Sequence, residues 1–358
     1  MPVYNFAAGP AVMPAPVIAQ IQRELPSLNG SGMSILEVSH RAADFDRIIT
    51  DAEANLRALM QIPDDYAVLF MQGGGTGQFA AAPLNLATDK RRIAVLDSGQ
   101  WAVKAAQEAA KLGRQVDVVA STRAAKYTRL PQMPDTLPAG QYDYLHVCMN
   151  NTIEGTAWHQ APRTGTTPLV ADMSSNILAE EYNVNDFGLI FAGAQKNLGP
   201  AGVTLVIVRK DLVHQVPGLP SMLDYQLFME KNSMSNTPPV FNIYAVGLVL
   251  KWLRQQGGVP EMQRRNEQKA GKLYAFLDQS RLFHNPVVSA DRSLTNIPFM
   301  TGDAALDAAV VQAATAAGLM NLKGHRSVGG LRASLYNAMP LAGVDALIDF
   351  LHAFEQHH

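Results

Sequence analysis

From about Tyr66 to Val208 the chain repeats one unit: a short apolar or β-branched run, a turn rich in Gly, Asn or Asp, and then a helical stretch. Runs of this kind predict strands at Ala67–Met71, Arg92–Asp97, Gln115–Val119, Tyr144–Cys148, Pro168–Asp172, Leu189–Ala192 and Val203–Arg209. Helices are predicted between some of them, among them Gly77–Leu86 and Trp101–Leu112. Strands that alternate with helices form a largely parallel sheet, so the expected fold class is α/β with seven strands in one sheet. Ligands of such sheets sit outside the carboxyl ends of the strands, and the residues just after each strand are where chemistry is sought.

After about Pro260 the pattern changes. A long charged helix, Pro260–Gln279, precedes short apolar runs at Val287–Ser289, Ile297–Met300 and Leu331–Ser334, with a helix at Ala304–Ala317. That mixture predicts a smaller α+β domain. The expected division is an N-terminal segment, 1–15, packing with the small domain, a large domain, 16–258, and a small C-terminal domain, 259–358. The polar stretch Glu230–Pro239 reads as a surface loop. Val240–Leu250 is apolar but interrupted by Asn242 and far short of the ~20 residues a bilayer needs, so it reads as a buried helix.

Composition narrows the classes of function. Lys and Arg total 29 against 31 Asp and Glu in 358 residues, a net charge of −2, which lacks the basic excess of a general nucleic-acid binder. With 47% apolar and 17% charged residues the chain is globular in type. Its one cysteine, Cys148, excludes an intrachain disulfide framework and a cysteine-rich metal cluster. The opening residues lack a basic start followed by an apolar core, so a cytoplasmic location is expected, with neither membrane nor nucleic acid as partner and no metal.

Chemistry-bearing residues gather at the predicted strand ends. Lys196 lies among small residues between two strands, where its amine can meet a ligand, although a lone loop lysine is ordinarily just solvated. Asp172 ends a strand, where it could equally cap the following turn. A lysine and an aspartate are the two groups that pyridoxal phosphate requires, one for the Schiff base and one to keep the pyridine nitrogen protonated. The glycine run Gln72–Gln78 opens a predicted helix, where free N–H groups and the helix dipole suit a phosphate; a purely structural turn is the alternative. It lacks the last glycine of a dinucleotide fingerprint, and no Gly-Lys-Ser/Thr follows. Trp101 could stack on a cofactor ring or fill the core, and Thr152 could donate to a ring substituent or stabilise a turn. Together these five features converge on one phosphorylated aromatic cofactor.

Nearly the whole chain resembles the phosphoserine aminotransferase family, class V aminotransferases of pyridoxal-phosphate fold type I. The resemblance is carried by Asn5-Phe-Ala-Ala-Gly-Pro, Ser39-His-Arg, Gly73-Gly-Gly-Thr-Gly-Gln-Phe, Gly99-Gln-Trp, Asn151-Thr-Ile-Glu-Gly, Ala171-Asp-Met-Ser-Ser, Gly193-Ala-Gln-Lys-Asn-Leu-Gly-Pro-Ala-Gly, Ser235-Asn-Thr-Pro-Pro and Gly324-His-Arg-Ser-Val-Gly-Gly-Leu-Arg-Ala-Ser. It implies Lys196 as the Schiff-base lysine, Asp172 as partner of the pyridine nitrogen, Trp101 as stacking ring, and Gly75 and Thr76 as backbone ligands of the cofactor phosphate. Thr152 and Gln195 are implied as further cofactor contacts, and Asn236 and Thr237 as contacts to the cofactor phosphate of a neighbouring subunit, hence a homodimer. For the substrate it implies Arg332 at the α-carboxylate, with His325 and Arg326, and His40 and Arg41 from the partner subunit, at the substrate phosphate or the side-chain carboxylate of glutamate.

The implied reaction moves the amino group of L-glutamate to 3-phosphohydroxypyruvate by a ping-pong route, giving O-phospho-L-serine and 2-oxoglutarate. The same anion clamp would accept 4-phosphohydroxy-L-threonine, a substrate of relatives that also serve pyridoxal-phosphate biosynthesis. One departure stands out: many bacterial members carry arginine where this chain has Thr76, so looser phosphate recognition is expected here. Among rivals on the same fold, a cysteine desulfurase needs a mobile cysteine, and a glyoxylate-type aminotransferase would not require two His-Arg pairs. A Rossmann-type nucleotide module leaves Lys196 without a role.

Overall fold

The computed structural model describes residues 2–134 and 137–358. In chain order the elements are β1 (Tyr4–Asn5), α1 (Ala15–Glu24), α2 (Ala43–Met60), β2 (Tyr66–Met71), α3 (Gly74–Leu86), β3 (Arg92–Asp97), α4 (Gln100–Lys111), β4 (Gln115–Ser121), β5 (Tyr144–Cys148), β6 (Leu169–Asp172), β7 (Leu189–Gly193) and β8 (Thr204–Arg209). They are followed by α5 (Tyr225–Glu230), α6 (Val240–Gln255), α7 (Gly258–Leu277), β9 (Asn296–Phe299), α8 (Ala304–Ala316), β10 (Leu319–Met320), β11 (Leu331–Ser334) and α9 (Leu341–Gln356).

All seven strands expected of the α/β unit join one sheet, in the order β2-β8-β7-β6-β5-β3-β4. Only β8 runs against its neighbours, so the carboxyl ends of β2, β3, β5, β6 and β7 share one edge. The inner strands β5, β6 and β7 are buried at every residue. Helices on both faces impose that burial, and it selects the continuous apolar runs by which the strands are recognised. One apolar cluster, around Phe45, Leu145, Ile190 and Leu250, fills one face, and another, around Phe79, Ile93, Phe191 and Tyr225, fills the other.

A third cluster gathers the C-terminal elements, α7, α8 and α9 and the antiparallel pair β9–β11, around Phe283, Phe299 and Leu347. The first residues of the chain reach it: β1 pairs in parallel with β10, and Phe6 is completely buried there. Val240–Leu250 lies within α6, whose inward residues are buried, and no helix among the described residues is long and apolar enough to cross a membrane.

Two expectations about local structure need correction. Val287–Ser289 is not a strand. Val288 donates its N–H to the Thr128 carbonyl and the chain then makes a single tight turn at Ser289–Asp291, so the segment is held by a loop and not by a neighbouring strand. Helix α3 begins at Gly74 rather than Gly77, since Gly73 takes the left-handed conformation (φ 94°) that lets the chain turn from β2 directly into the helix.

Candidate active site

Five segments that follow strand ends meet at the shared edge. A cavity of about 270 Å³ there is lined by Gly75 and Thr76 after β2, Trp101 after β3, Thr152 after β5, Asp172 at the end of β6 and Lys196 after β7. Two residues from the C-terminal part, His325 and Arg332, close it from the other side, together with Ala8 and Gly9 from the N-terminal segment.

The start of α3 supplies one wall. A helix leaves its first N–H groups without intrahelical acceptors, and Gly77 is the first residue here to bond back, to the Gly73 carbonyl at 3.0 Å. The amides of Gly74, Gly75 and Thr76 are therefore free to hold an anion, with no side chain capping them. Gly75 is needed for room as well: a Cβ there would stand 3.4 Å from Ser174 Oγ and 3.8 Å from Asp172 Oδ2.

Asp172 is itself held. Its Oδ1 accepts the Ser174 N–H at 2.9 Å, while Ser174 Oγ accepts the Gly193 N–H at 3.1 Å, tying β6 to the end of β7. Among the described residues Oδ2 has no hydrogen-bond partner, so it is left to face a ligand. Below lies an apolar floor in which the buried His146 stacks on Phe191; burial pushes its pKa down to about 4, so it is neutral at physiological pH.

Lys196 sits in the tight turn after β7, and its Nζ lies 5.7 Å from the centre of the Trp101 ring. Burial lowers the pKa of the amine, with Asp172 and Cys148 opposing the shift and Arg332 reinforcing it. Gln195 folds its side chain over Gly193, where a Cβ would come within 2.8 Å of Gln195 Oε1, and its carbonyl accepts the Ala11 N–H at 2.8 Å. Trp101 donates its indole N–H to Thr152 Oγ1 at 2.8 Å, fixing the ring as a wall and leaving the threonine hydroxyl hydrogen free to donate.

Arg332 Nη1 reaches the Thr152 carbonyl at 2.9 Å, which carries the guanidinium from β11 to the mouth of the cavity. His325 is pushed below its ordinary pKa, first by burial and then by the fields of Arg332, Arg326 and Lys104. The fields of three cations thus reach this imidazole, an arrangement suited to a multiply charged anion. Arg326 lies exposed on the same loop and does not line the cavity.

His40, Arg41, Asn236 and Thr237 lie elsewhere. They line a separate open cavity of about 670 Å³, together with Asp46 and Ser235, and no residue lines both. Their meeting brings together two segments nearly two hundred residues apart. Cys148 is fully enclosed in β5, and burial raises its thiol well above the ordinary range, the opposite of what a mobile nucleophile needs.

Sequence reasoning missed Ala8, Gly9, Ser174 and Glu154. Ser174 carried a signal, since a serine two residues after an aspartate is placed for the backbone turn observed. Glu154 is 6% exposed and accepts the Gln100 N–H at 3.0 Å, and burial pushes its carboxyl up to about 7. The unfolded chain releases that proton near pH 4.5 and the folded chain near 7, so the native state holds more protons in between and stability falls as pH rises through this window. Glu154→Gln, which cannot ionise, is expected to gain thermal stability relative to the parent between pH 5 and 8. Melting curves at the two pH values check this, and a constant difference in Tm would contradict it.

The chain belongs to the class-V aminotransferase family, whose model matches residues 3–347. Within that family, relatives at 50–64% identity are phosphoserine aminotransferases. The phosphoserine aminotransferase of Lactiplantibacillus plantarum is 64% identical over 358 residues, with 100% of both chains covered. The phosphoserine aminotransferase structure from Bacillus circulans subsp. alkalophilus superposes with a TM-score of 0.96 at 44% identity, covering 99% of each chain. A PLP-bound phosphoserine aminotransferase from Trichomonas vaginalis superposes at 0.90 with 36% identity, over 98% of this chain and 99% of that one.

Proposed function

We propose that this chain transfers the amino group of L-glutamate to 3-phosphohydroxypyruvate, giving O-phospho-L-serine and 2-oxoglutarate, with pyridoxal 5'-phosphate as cofactor. The observation that carries the reading is the single cavity in which Lys196, Asp172, Trp101 and the open N-terminus of α3 face Arg332 and His325. Its donor set fits the cofactor: amides for a phosphate, an unpartnered carboxylate oxygen for a ring N–H, a flat wall and an amine.

When bound, pyridoxal phosphate supplies a carbonyl carbon that captures the amino group and a protonated ring that draws electrons from the α-carbon. The amides of Gly75 and Thr76 would hold its phosphate, and Asp172 Oδ2 would keep a proton on the ring nitrogen. Trp101 would cover the ring and exclude water, with Thr152 and Gln195 completing its surroundings. Lys196, its amine favoured in the neutral form by burial, would hold the cofactor's carbonyl carbon and move the proton at the substrate α-carbon. Arg332 pairs with the α-carboxylate, bidentate geometry being the reason for an arginine there.

The remaining anion-binding groups belong to a homodimer. His325 and Arg326 from one protomer, and His40 and Arg41 from its partner, bind the substrate phosphate or the side-chain carboxylate of glutamate, while Asn236 and Thr237 reach the partner's cofactor phosphate. A site assembled from two copies explains why these four residues share a cavity of their own in one chain. The same clamp accepts 4-phosphohydroxy-L-threonine, and the enzyme works in the cytoplasm.

The test adds O-phospho-L-serine to one sample of the PLP-loaded protein and L-serine to another. Phosphoserine alone is expected to bleach the visible band of bound cofactor and release 3-phosphohydroxypyruvate. Equal bleaching by both would remove the phosphate clamp from the reading, and a protein that never takes up the cofactor would remove all of it.

A further inference from the structure

The turn Asn151–Gly155 joins parts of the cavity that lie far apart in the chain. Thr152 holds Trp101 through its hydroxyl at 2.8 Å and Arg332 through its carbonyl at 2.9 Å. Two groups assigned to different ligands, the cofactor ring and the substrate carboxylate, thus take their relative placement from one residue.

The turn closes on itself through Asn151 N–H to the Thr156 carbonyl at 2.8 Å and Gly155 N–H to the Asn151 carbonyl at 2.8 Å. On the side of β9 it is wedged: Gly155 has φ 83°, and a Cβ there would lie 2.3 Å from Pro298 Cδ. On the side of α4 it has two ties. Asn151 Nδ2 makes a long bond to Ser98 Oγ at 3.3 Å, and Glu154 Oε1 accepts the backbone N–H of Gln100 at 3.0 Å, one residue before Trp101.

Glu154 is an unusual residue to find in this place. It is nine-tenths buried, forms no salt bridge among the described residues, and leaves Oε2 without a hydrogen-bond partner. Its packing is close: a Cβ on Gly99 would stand 2.8 Å from Oε2 and 2.6 Å from Asn151 Oδ1, so the turn rests on bare backbone. A buried acid without a cation is costly, and a good hydrogen bond to the first turn of a helix is the favourable term that this position supplies.

We propose that Glu154 is a positioning residue, clipping the Asn151–Gly155 turn to the first turn of α4 and so setting Trp101, Thr152 and Arg332 relative to one another. The inference rests on the function proposed above, in which Trp101 meets the cofactor and Arg332 the substrate. A carboxyl that stays protonated to about pH 7 does the same work as a neutral amide, so the clip depends on the acceptor oxygen rather than on charge.

The test uses PLP-loaded protein carrying Glu154→Ala, Glu154→Gln, Gln100→Pro, and the first and third combined. Proline at the first helical position removes the N–H donor while leaving the helix intact, and it places its Cδ against Glu154 Oε1, so Gln100→Pro deletes the clip from the other side and its combination with Glu154→Ala relieves the crowding. Glu154→Ala and Gln100→Pro are each expected to weaken PLP binding and raise KM for O-phospho-L-serine by about three- to tenfold, the worth of one hydrogen bond. Both are expected to change the visible circular dichroism of bound PLP, which reports the ring's orientation, and their combination is expected to be no worse than either alone. Glu154→Gln is expected to stay within about twofold of the parent.

Glu154→Ala or Gln100→Pro matching the parent in all three readouts would overturn the proposal, as would additive losses in the combined variant. Should Glu154→Ala fail to fold, Gln100→Pro and Glu154→Gln still decide it, since neither removes buried volume at 154. A parent that binds no PLP overturns the proposed function; a parent that binds normally beside indifferent variants overturns only the clip.

Discussion

Replacing Lys196 by alanine is expected to lower transamination by at least about 10³-fold, the range lost when a positioned acid–base group is removed, while the protein still takes up pyridoxal phosphate. Binding survives because the amides at the start of α3, the carboxylate of Asp172 and the wall of Trp101 are untouched by the change. Turnover does not, because the cavity offers no substitute for the amine. Of the other ionisable side chains that line it, Asp172 is tied to the Ser174 N–H and is the proposed partner of the ring nitrogen, and Arg332 stays protonated. His325 has its Nδ1 engaged by Ser327 Oγ at 2.7 Å. Single-turnover production of 3-phosphohydroxypyruvate from O-phospho-L-serine measures the loss, and the visible spectrum of the same sample reports the bound cofactor. Activity within tenfold of the parent would take the acid–base role away from Lys196.

What could be read before the fold was known divides along physical lines. The inner strands are legible because burial on both faces leaves continuous apolar runs, and over all seven strands the observed bounds coincide with the expected ones at nine of fourteen ends and differ by one or two residues at the other five. Val287–Ser289 misled because two adjacent valines look alike whether they pair with a strand or cover a loop, and the partner decides. The start of α3 was hidden for a related reason. A glycine run reads as a loop, yet the left-handed Gly73 is what allows the helix to begin at once.

In the site, Lys196, Asp172, Trp101 and Thr152 stand out by position, each following a strand whose end lies at the same edge of the sheet. His325 and Arg332 do not, since they arrive from the C-terminal part across a gap of more than a hundred residues. No local spacing encodes that approach, and only the family resemblance pointed to them. Glu154 was overlooked because an acid in a turn is ordinarily a solvated one; here it packs against Gly99, more than fifty residues earlier, which no pattern along the chain connects to it.

Mixing two inactive variants is expected to restore activity, and the amount restored distinguishes a shared site from a self-contained one. Lys196→Ala removes the amine from its own cavity, and Arg41→Ala removes a cation that lies in the other cavity of the chain. If Arg41 acts on the partner's substrate, a mixed dimer contains one site that has lost both groups and one that has lost neither. Random reassortment of equal amounts makes about half the dimers mixed, each with one intact site, so about a quarter of parental activity returns. If Arg41 served its own chain, each site in the mixed dimer would lack one group and nothing would return. The variants are unfolded together, refolded and assayed with L-glutamate and 3-phosphohydroxypyruvate, with each alone as control. The separate cavity around His40, Arg41, Asn236 and Thr237 is the reason to expect recovery: those residues converge on a surface of their own, apart from Lys196 and Asp172, as a site shared between two copies requires.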